Sequence, residues 1–272
     1  LRRWLAERRP LLLHAHLRYA TCVGGRLARG LGIPLLTTVH VEPGRERGRQ
    51  RWLAGWERAE RRRAARVIYV SAAQRAAWGR VAGRERAVVI GNGVSLPAPG
   101  PGREAQRRRL GLPLEATIYL TVAVVRAAKG WRTWLQAAEQ VTAAQPQAHF
   151  VWVGGGEEWE TLRAAARPLL ESGRLLLPGP RGDVAAWLEA SDFFLFPSFG
   201  EAQPTAVMEA MAAGLPLIAT RLDATRELAG ECACWVEPGD AAGLAQAALA
   251  WSGPQRAAAR AAAVAARARV ER

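Results

Sequence analysis

The chain has 272 residues, half of them apolar and 23% charged, which fits a soluble globular protein of one large or two small domains. Its apolar runs, such as "FFLF" and "RVIYV", are far too short to span a bilayer. The formal net charge is +14, but arginine is spread along the whole chain, so the charge reads as a solvated surface rather than a nucleic-acid face. Attraction to an anionic membrane surface or to a polyphosphate ligand is the second reading of that charge. Cys22, Cys232 and Cys234 suggest no disulfide framework, and the C-x-C at 232–234 has no metal-site company, so a reduced cytosolic protein is expected.

The chain opens at Leu1 inside the amphipathic "LRRWLAERRP", and the true start is expected upstream. Strand-like runs follow in order: "LLLHAH", "PLLTTVH", "RVIYVS" and "AVVIGNG", with the arginine-dense "GRERGRQRW" and "ERAERRRAAR" among them. "GNGVSLPAPGPGRE" (Gly91–Glu104) then concentrates Gly and Pro, as a linker does. Beyond it come "TIYLTVAV", "AHFVWVGGG", "RLLLPG", "FFLFPS" and "PLIAT", separated by predicted helices at Trp131–Ala144, Glu157–Glu171, Asp183–Glu189 and Pro204–Ala213. The runs are nearly continuous in apolar residues, as strands covered on both faces are, and their alternation with helices predicts α/β parallel sheets. The expected organisation is a partial domain at 1–100, a second domain at 101–253 and an Ala/Arg-rich helical tail at 254–272. The first part offers only about four strands, too few for a complete doubly wound domain.

Ligands of such sheets bind at the C-terminal ends of the strands. Lys129, the only lysine beside so many arginines, follows "TIYLTVAV" within a few residues. A compact ammonium there suits a phosphate approached through a narrow gap, though a single lysine also survives by chance. Gly154 and Gly156 in "VGGGEE" would let the backbone approach a ligand, or simply make a tight turn. In "FPSFGEAQPTAVMEAMAAG", Pro204 suits the first turn of a helix. The amides of Thr205 and Ala206 then point out of the helix start toward an anion. Glu201 and Glu209 flank that start. Together they suit a ligand carrying a phosphate and sugar hydroxyls, or are two helix-end glutamates at the positive end of the dipole.

"EAQPTAVME" resembles the E-x7-E motif of retaining glycosyltransferases with the two-Rossmann-domain (GT-B) fold, and most resembles glycosyltransferase family 4. The likeness runs through "HAHLRY", "GIPLLTTVH", "RVIYVS", "GNGVS", "RAAKGW", "VGGGEE", "AGLPLIATRLDATREL" and "VEPGD", in the family's order. It implies two Rossmann-like domains facing a cleft, the N-terminal one incomplete, and a nucleotide-diphospho-sugar donor. By resemblance, Lys129 contacts the donor diphosphate, Glu201 the transferred sugar and Glu209 the ribose. Gln203, Pro204, Thr205 and Ala206 meet phosphate or sugar, with Arg126, Gly154 and Gly156 also on the donor side. His40 stands near the sugar, and His16 and Asn92 on the interdomain or acceptor side. No metal or other cofactor is expected, because protein cations stabilise the leaving group. The acceptor is expected to be a sugar, a lipid-linked sugar or another glycan. The setting is the cytoplasm, with peripheral contact at an anionic membrane face and no nucleic-acid partner.

Departures accompany the likeness. Ala123 and Val124 stand where many members carry a second diphosphate arginine, Ala127 replaces a proline and Ser95 an aspartate. The alternatives are a GT-B nucleotide-sugar epimerase and a non-catalytic sugar-nucleotide-binding protein.

Overall fold

The computed structural model describes residues 1–41, 49–78, 86–98 and 100–271, so part of the arginine-dense run at 44–52 lies outside the described residues. The chain divides into two compact units, Leu1–Asn92 with Glu201–Gln203, and Gly93–Gly200 with Pro204–Arg272. The division falls within the Gly/Pro-rich segment, so the expected boundary at 100 lies inside the second unit.

Unit 1 holds α1 (Arg2–Arg8), β1 (Leu13–His16), α2 (Leu17–Leu31), β2 (Leu35–Val39), α3 (Arg49–Arg63), β3 (Arg66–Tyr69), α4 (Ala72–Trp78) and β4 (Ala87–Val89). Its four strands are parallel and adjacent in chain order, β1-β2-β3-β4, with no reversal among them. Ala15, Leu35, Val39, Val67 and Tyr69 pack with Ala28 and Trp78 as its core. Helix α3 is too rich in charge to be buried by apolar contact alone. It is held to α2 by ion pairs: Arg18 donates to the buried Glu57 at 3.0 Å, and Arg29 grips the buried Glu60 with two bonds of 3.1 Å. Arg61 also bonds Glu57 and lies over the Trp78 ring at 4.2 Å. Buried charges persist only when paired in this way.

Unit 2 begins with α5 (Arg103–Leu110), β5 (Thr117–Val122), α6 (Trp131–Ala144), β6 (Ala148–Val153), α7 (Trp159–Ala165), α8 (Arg167–Glu171) and β7 (Leu175–Gly179). It continues with α9 (Val184–Ala190), β8 (Phe193–Phe196), α10 (Thr205–Ala212), β9 (Leu217–Thr220), α11 (Asp223–Ala229), β10 (Ala233–Val236), α12 (Ala241–Ser252) and α13 (Arg256–Val270). Six parallel strands run in the order β10-β9-β8-β5-β6-β7. Successive side chains of a strand face opposite sides, so "FFLF" divides its residues between two cores. Phe193 and Leu195 join Tyr119, Phe150 and Trp134 on one face; Phe194 and Phe196 join Ile118, Leu120 and Met211 on the other. Burial on both faces is what the continuous apolar runs implied.

Two expectations change. The helix read over Glu157–Glu171 is two helices meeting at Ala166, because Pro168 lacks an N–H and cannot continue an unbroken ladder. A sixth strand, β10, runs through "ACWV" beside the C-x-C and was not expected. The stretch from Gln255 packs as part of unit 2: Ala259, Ala263 and Ala266 of α13 are all buried. Among the described residues no helix is long and apolar enough to cross a membrane.

Helix α5 is clamped to the sheet by a buried pair. Arg107 donates to Asp192 at 2.6 Å and to the carbonyls of Ala190 and Ala116 at 2.9 and 3.0 Å. Asp192 also accepts from the Ile118 amide at 2.8 Å and from Arg103 at 2.8 Å. Removing one member of such a pair leaves the other buried without its partner. Arg107→Met is therefore expected to destabilise the chain by about 3–5 kcal/mol in denaturant unfolding, and a loss under about 1 kcal/mol would show that the clamp is ornamental.

Candidate functional site

In unit 2 the strand order reverses between β5 and β8, which are hydrogen-bonded neighbours although β6 and β7 separate them in sequence. At such a switch point the connections leave toward opposite faces, and a crevice opens at the C-terminal strand ends. The loops there are locked together. The turn at Ala127–Lys129, the start of α6 and the segment after β8 cross so closely that a β-carbon on Gly130 would lie 2.0 Å from the Pro197 carbonyl oxygen. Gly130 also has φ +71°, a region that disfavours side chains. The Phe199 amide donates to the Ala128 carbonyl at 2.9 Å, and Thr220 holds the Ser198 carbonyl at 2.6 Å from the end of β9. Lys129, half-buried, is carried on this crossing. Arg126 is exposed at the head of the same turn, and its guanidinium bonds no described residue.

Gly154 and Gly156 are glycine for a related reason. Their β-carbons would lie 1.9 Å from the Ala123 carbonyl oxygen and 2.4 Å from that of Val125. The close approach is to the neighbouring loop's own backbone. Val125 donates to Gly155 and accepts from Glu158, at 2.9 and 3.1 Å. Glu158 in turn takes the Trp131 indole N–H at 2.6 Å, and this bond, with a weaker one from Arg132, holds its carboxyl below the usual glutamate range.

Helix α10 starts on the same edge. Pro204 is its N-cap rather than a first-turn residue, and it offers no side-chain cap. The helical ladder opens with Val207 and Met208 donating to the Pro204 carbonyl, so the amides of Thr205 and Ala206 lie ahead of it. Glu209 follows one turn on, half-buried, and burial pushes its carboxyl above the ordinary range. Thr205 and Glu209 line a cavity of about 460 Å³ with Val184 and Leu188 of α9 and with Ser95 and Leu96.

In unit 1, H-A-H puts His14 and His16 on one face of β1, and β2 adds His40 just past its end. His16 Nδ1 and His40 Nε2 are 2.8 Å apart with their rings stacked, and His14 bonds Thr38 at 2.7 Å. Burial, then the neighbouring histidines, lowers the pKa of both His14 and His40. Leu17, directly after His16, has φ +69°, a costly setting for a bulky residue. None of these groups forms a metal-holding cluster among the described residues. Glu201–Gln203 belongs to this unit as well: Ser71 donates to the Ala202 carbonyl at 2.7 Å, and the Asn92 amide donates to the Gln203 side chain. The structure thus groups Lys129, Arg126, Gly154, Gly156, Thr205, Ala206 and Glu209 in unit 2, and His16, His40, Asn92, Glu201 and Gln203 in unit 1. His14 and Thr38 were not singled out from sequence, although the H-A-H alternation carries the signal for His14.

Two parallel-sheet, Rossmann-like halves define the GT-B class of α/β proteins. Anabaena HepE in complex with UDP-glucose superposes with TM-score 0.87 at 22% identity, over 99% of this chain and 75% of that one. Sucrose-phosphate synthase from Thermosynechococcus elongatus gives 0.85 at 25% identity, over 99% and 71%. Residues 116–252 match the model of the glycosyl transferases group 1, and residues 1–97 match that of Glycosyltransferase Family 4. The chain belongs to this glycosyltransferase family.

Among curated proteins, a D-inositol 3-phosphate glycosyltransferase 1 of Catenulispora acidiphila is 29% identical over 76% of this chain and 55% of its own length. The UDP-Gal:alpha-D-GlcNAc-diphosphoundecaprenol alpha-1,3-galactosyltransferase of Escherichia coli is 33% identical over 50% of this chain and 36% of its own. Across the curated relatives first in similarity, this chain spans about a third to just over half of their length.

The loop crossing is open to test. Gly111 has nearly the same backbone as Gly130, φ +69°, but open space around its β-position. Gly111→Ala should cost only the left-handed penalty of about 1–2 kcal/mol, and Gly130→Ala distinctly more, as read from paired denaturant melts. Equal losses would mean that Pro197 yields freely and the crossing constrains nothing.

Proposed function

We propose that this protein is a retaining glycosyltransferase that moves a sugar from a nucleoside-diphosphate donor to a glycan or lipid-linked acceptor, without a metal. The observation that carries the reading is the edge of unit 2 at the β5/β8 switch point. There a locked turn carries Lys129, and on the same edge α10 starts with free amides and carries the half-buried Glu209. A cation and unpaired amides suit a diphosphate, and a carboxylate suits ribose hydroxyls. HepE, whose complexes contain UDP and UDP-glucose, lends the nucleotide its class. Arg126, exposed and without a carboxylate among the described residues, supplies the second cation that Val124 cannot.

In the reaction, the bond between the anomeric carbon and the diphosphate oxygen breaks, and the acceptor oxygen bonds to that carbon on the same face. The acceptor's proton passes to the departing diphosphate. Lys129 and the Thr205 and Ala206 amides stabilise the negative charge that gathers on the leaving group. Glu201 and His40 serve the sugar, with His16 and Asn92 toward the acceptor. The +14 charge and the free thiols of Cys22, Cys232 and Cys234 support a reducing cytoplasmic setting at an anionic membrane face.

Calorimetry with uridine diphosphate tests the reading. Lys129→Ala should weaken binding by roughly tenfold or more, and Lys129→Arg should recover only part of it. Because burial raises the Glu209 pKa, that carboxyl takes up a proton earlier than an ordinary glutamate as pH falls. As pH falls, affinity should then begin to drop above the ordinary glutamate range, and Glu209→Gln should remove that part of the dependence. Wild-type affinity in Lys129→Ala, with an unchanged pH profile in Glu209→Gln, would refute the site.

A further inference from the structure

We propose that the opposite edge of the unit 2 sheet carries a second anion site, for a phosphate-bearing ligand, formed by α13 and the N-terminal ends of β8 and β9. A cavity of about 570 Å³ opens there, a volume suited to a small ligand. Phe193, which begins β8, and Pro216, which precedes β9, form its inner wall. Arg103, Arg256, Arg260 and Arg267 line it. Three of these arginines come from one side of α13, whose buried Ala259 and Ala263 press the helix onto the unit.

In so arginine-rich a chain, a cluster of arginines alone says little. Their pairing distinguishes this one. The cavity beside Glu60 in unit 1 also has four arginines, Arg29, Arg63, Arg66 and Arg86, and all are engaged. Arg29 and Arg63 pair with Glu60, while Arg66 and Arg86 donate to the carbonyls of Ala65 and Ala64. On α13, Arg269 is likewise spent on the carbonyls of Leu228 and Glu227, and Arg267 pairs with Glu271 at 2.9 Å. The guanidinium groups of Arg256 and Arg260, one turn apart and both lining the cavity, make no hydrogen bond or ion pair with a described residue. The other carboxylate on the wall, Asp192, is already satisfied from beneath by the buried Arg107, so Arg103 adds positive charge in excess of that pair.

The result is a concave wall with surplus guanidinium forks above an apolar floor of Pro216, Ala263 and the exposed Val264. Guanidinium forks bind phosphate oxygens in pairs, and several forks around one cavity favour a group with more oxygens and charge than a single carboxylate. A free diphosphate and the phosphodiester of an anionic lipid headgroup share that chemistry. The site faces away from the strand ends that carry Lys129 and α10, so it does not compete for the proposed donor.

The test uses the Arg256→Gln/Arg260→Gln variant, whose side chains are exposed and whose glutamines keep helix propensity. Inorganic pyrophosphate is titrated into wild type, this variant and Lys129→Ala. Vesicles of phosphatidylcholine, with and without phosphatidylglycerol, are sedimented with the same three proteins. A thermal melt confirms that the double variant folds. The expected result is a pyrophosphate or vesicle site that persists in Lys129→Ala and is weakened at least about tenfold in the double variant, with uridine diphosphate affinity unaltered there. Loss confined to pyrophosphate identifies a free phosphate compound as the ligand, and loss confined to phosphatidylglycerol vesicles identifies a headgroup. The proposal is overturned if wild type binds neither probe, if the double variant binds both as wild type does, or if only Lys129→Ala loses binding.

Discussion

The carbonyl oxygen of Pro197 occupies the space where residue 130 would carry its β-carbon, and the candidate site depends on that contact. It brings the loop after β5 against the loop after β8, at the one place where the sheet order reverses. The glycines at 154 and 156 repeat the device between the loops after β5 and β6. Three connections that would otherwise be independent become one braced edge. Close-packed backbones leave little room for side-chain adjustment, so the groups they carry are placed before any ligand arrives. Preorganised charge of this kind is what stabilises a developing leaving group without reorganisation cost.

Charge plays a second, structural part. A chain with so much arginine must either expose it or pair it when buried. Unit 1 pairs it: Glu57 and Glu60 serve as anchors between α2 and α3, and the arginines grip them from both helices. In unit 2 the buried pair is Arg107 with Asp192, and it ties the segment after the linker to β5 and β8. Lysine, the more compact cation, is kept for the rim. The unpaired Arg256 and Arg260 of α13 contrast with the engaged arginines around Glu60.

Much of this was legible in the sequence, for definable reasons. Helix α6 was read to its ends because Trp131, Trp134, Leu135, Ala138 and Val141 recur at helical spacing and are all buried. The continuous apolar runs gave nine strands their places. Strand β10 was not legible because it is only four residues long, overlaps the C-x-C and lies partly exposed at the edge of the sheet. The break at Ala166 was signalled by Pro168 but outweighed by the helical pattern around it. Lys129, Thr205 and Glu209 were legible because their residue types sit at a strand end and a helix start. Gly130 was not, since its reason lies in a crossing of segments far apart in sequence. The raised pKa of Glu209 was not legible either, because burial is set by α9 and its neighbours rather than by local spacing.

The central claim is that the braced edge at the β5/β8 switch point receives a nucleoside diphosphate. Hydrogen exchange followed by mass spectrometry, with and without uridine diphosphate, addresses it without requiring turnover. Segments 126–131 and 204–209 should both exchange more slowly when the nucleotide is present, because phosphate would hold the turn and take up the leading amides of α10. Slowed exchange elsewhere in the chain, with both segments unchanged, would contradict the account.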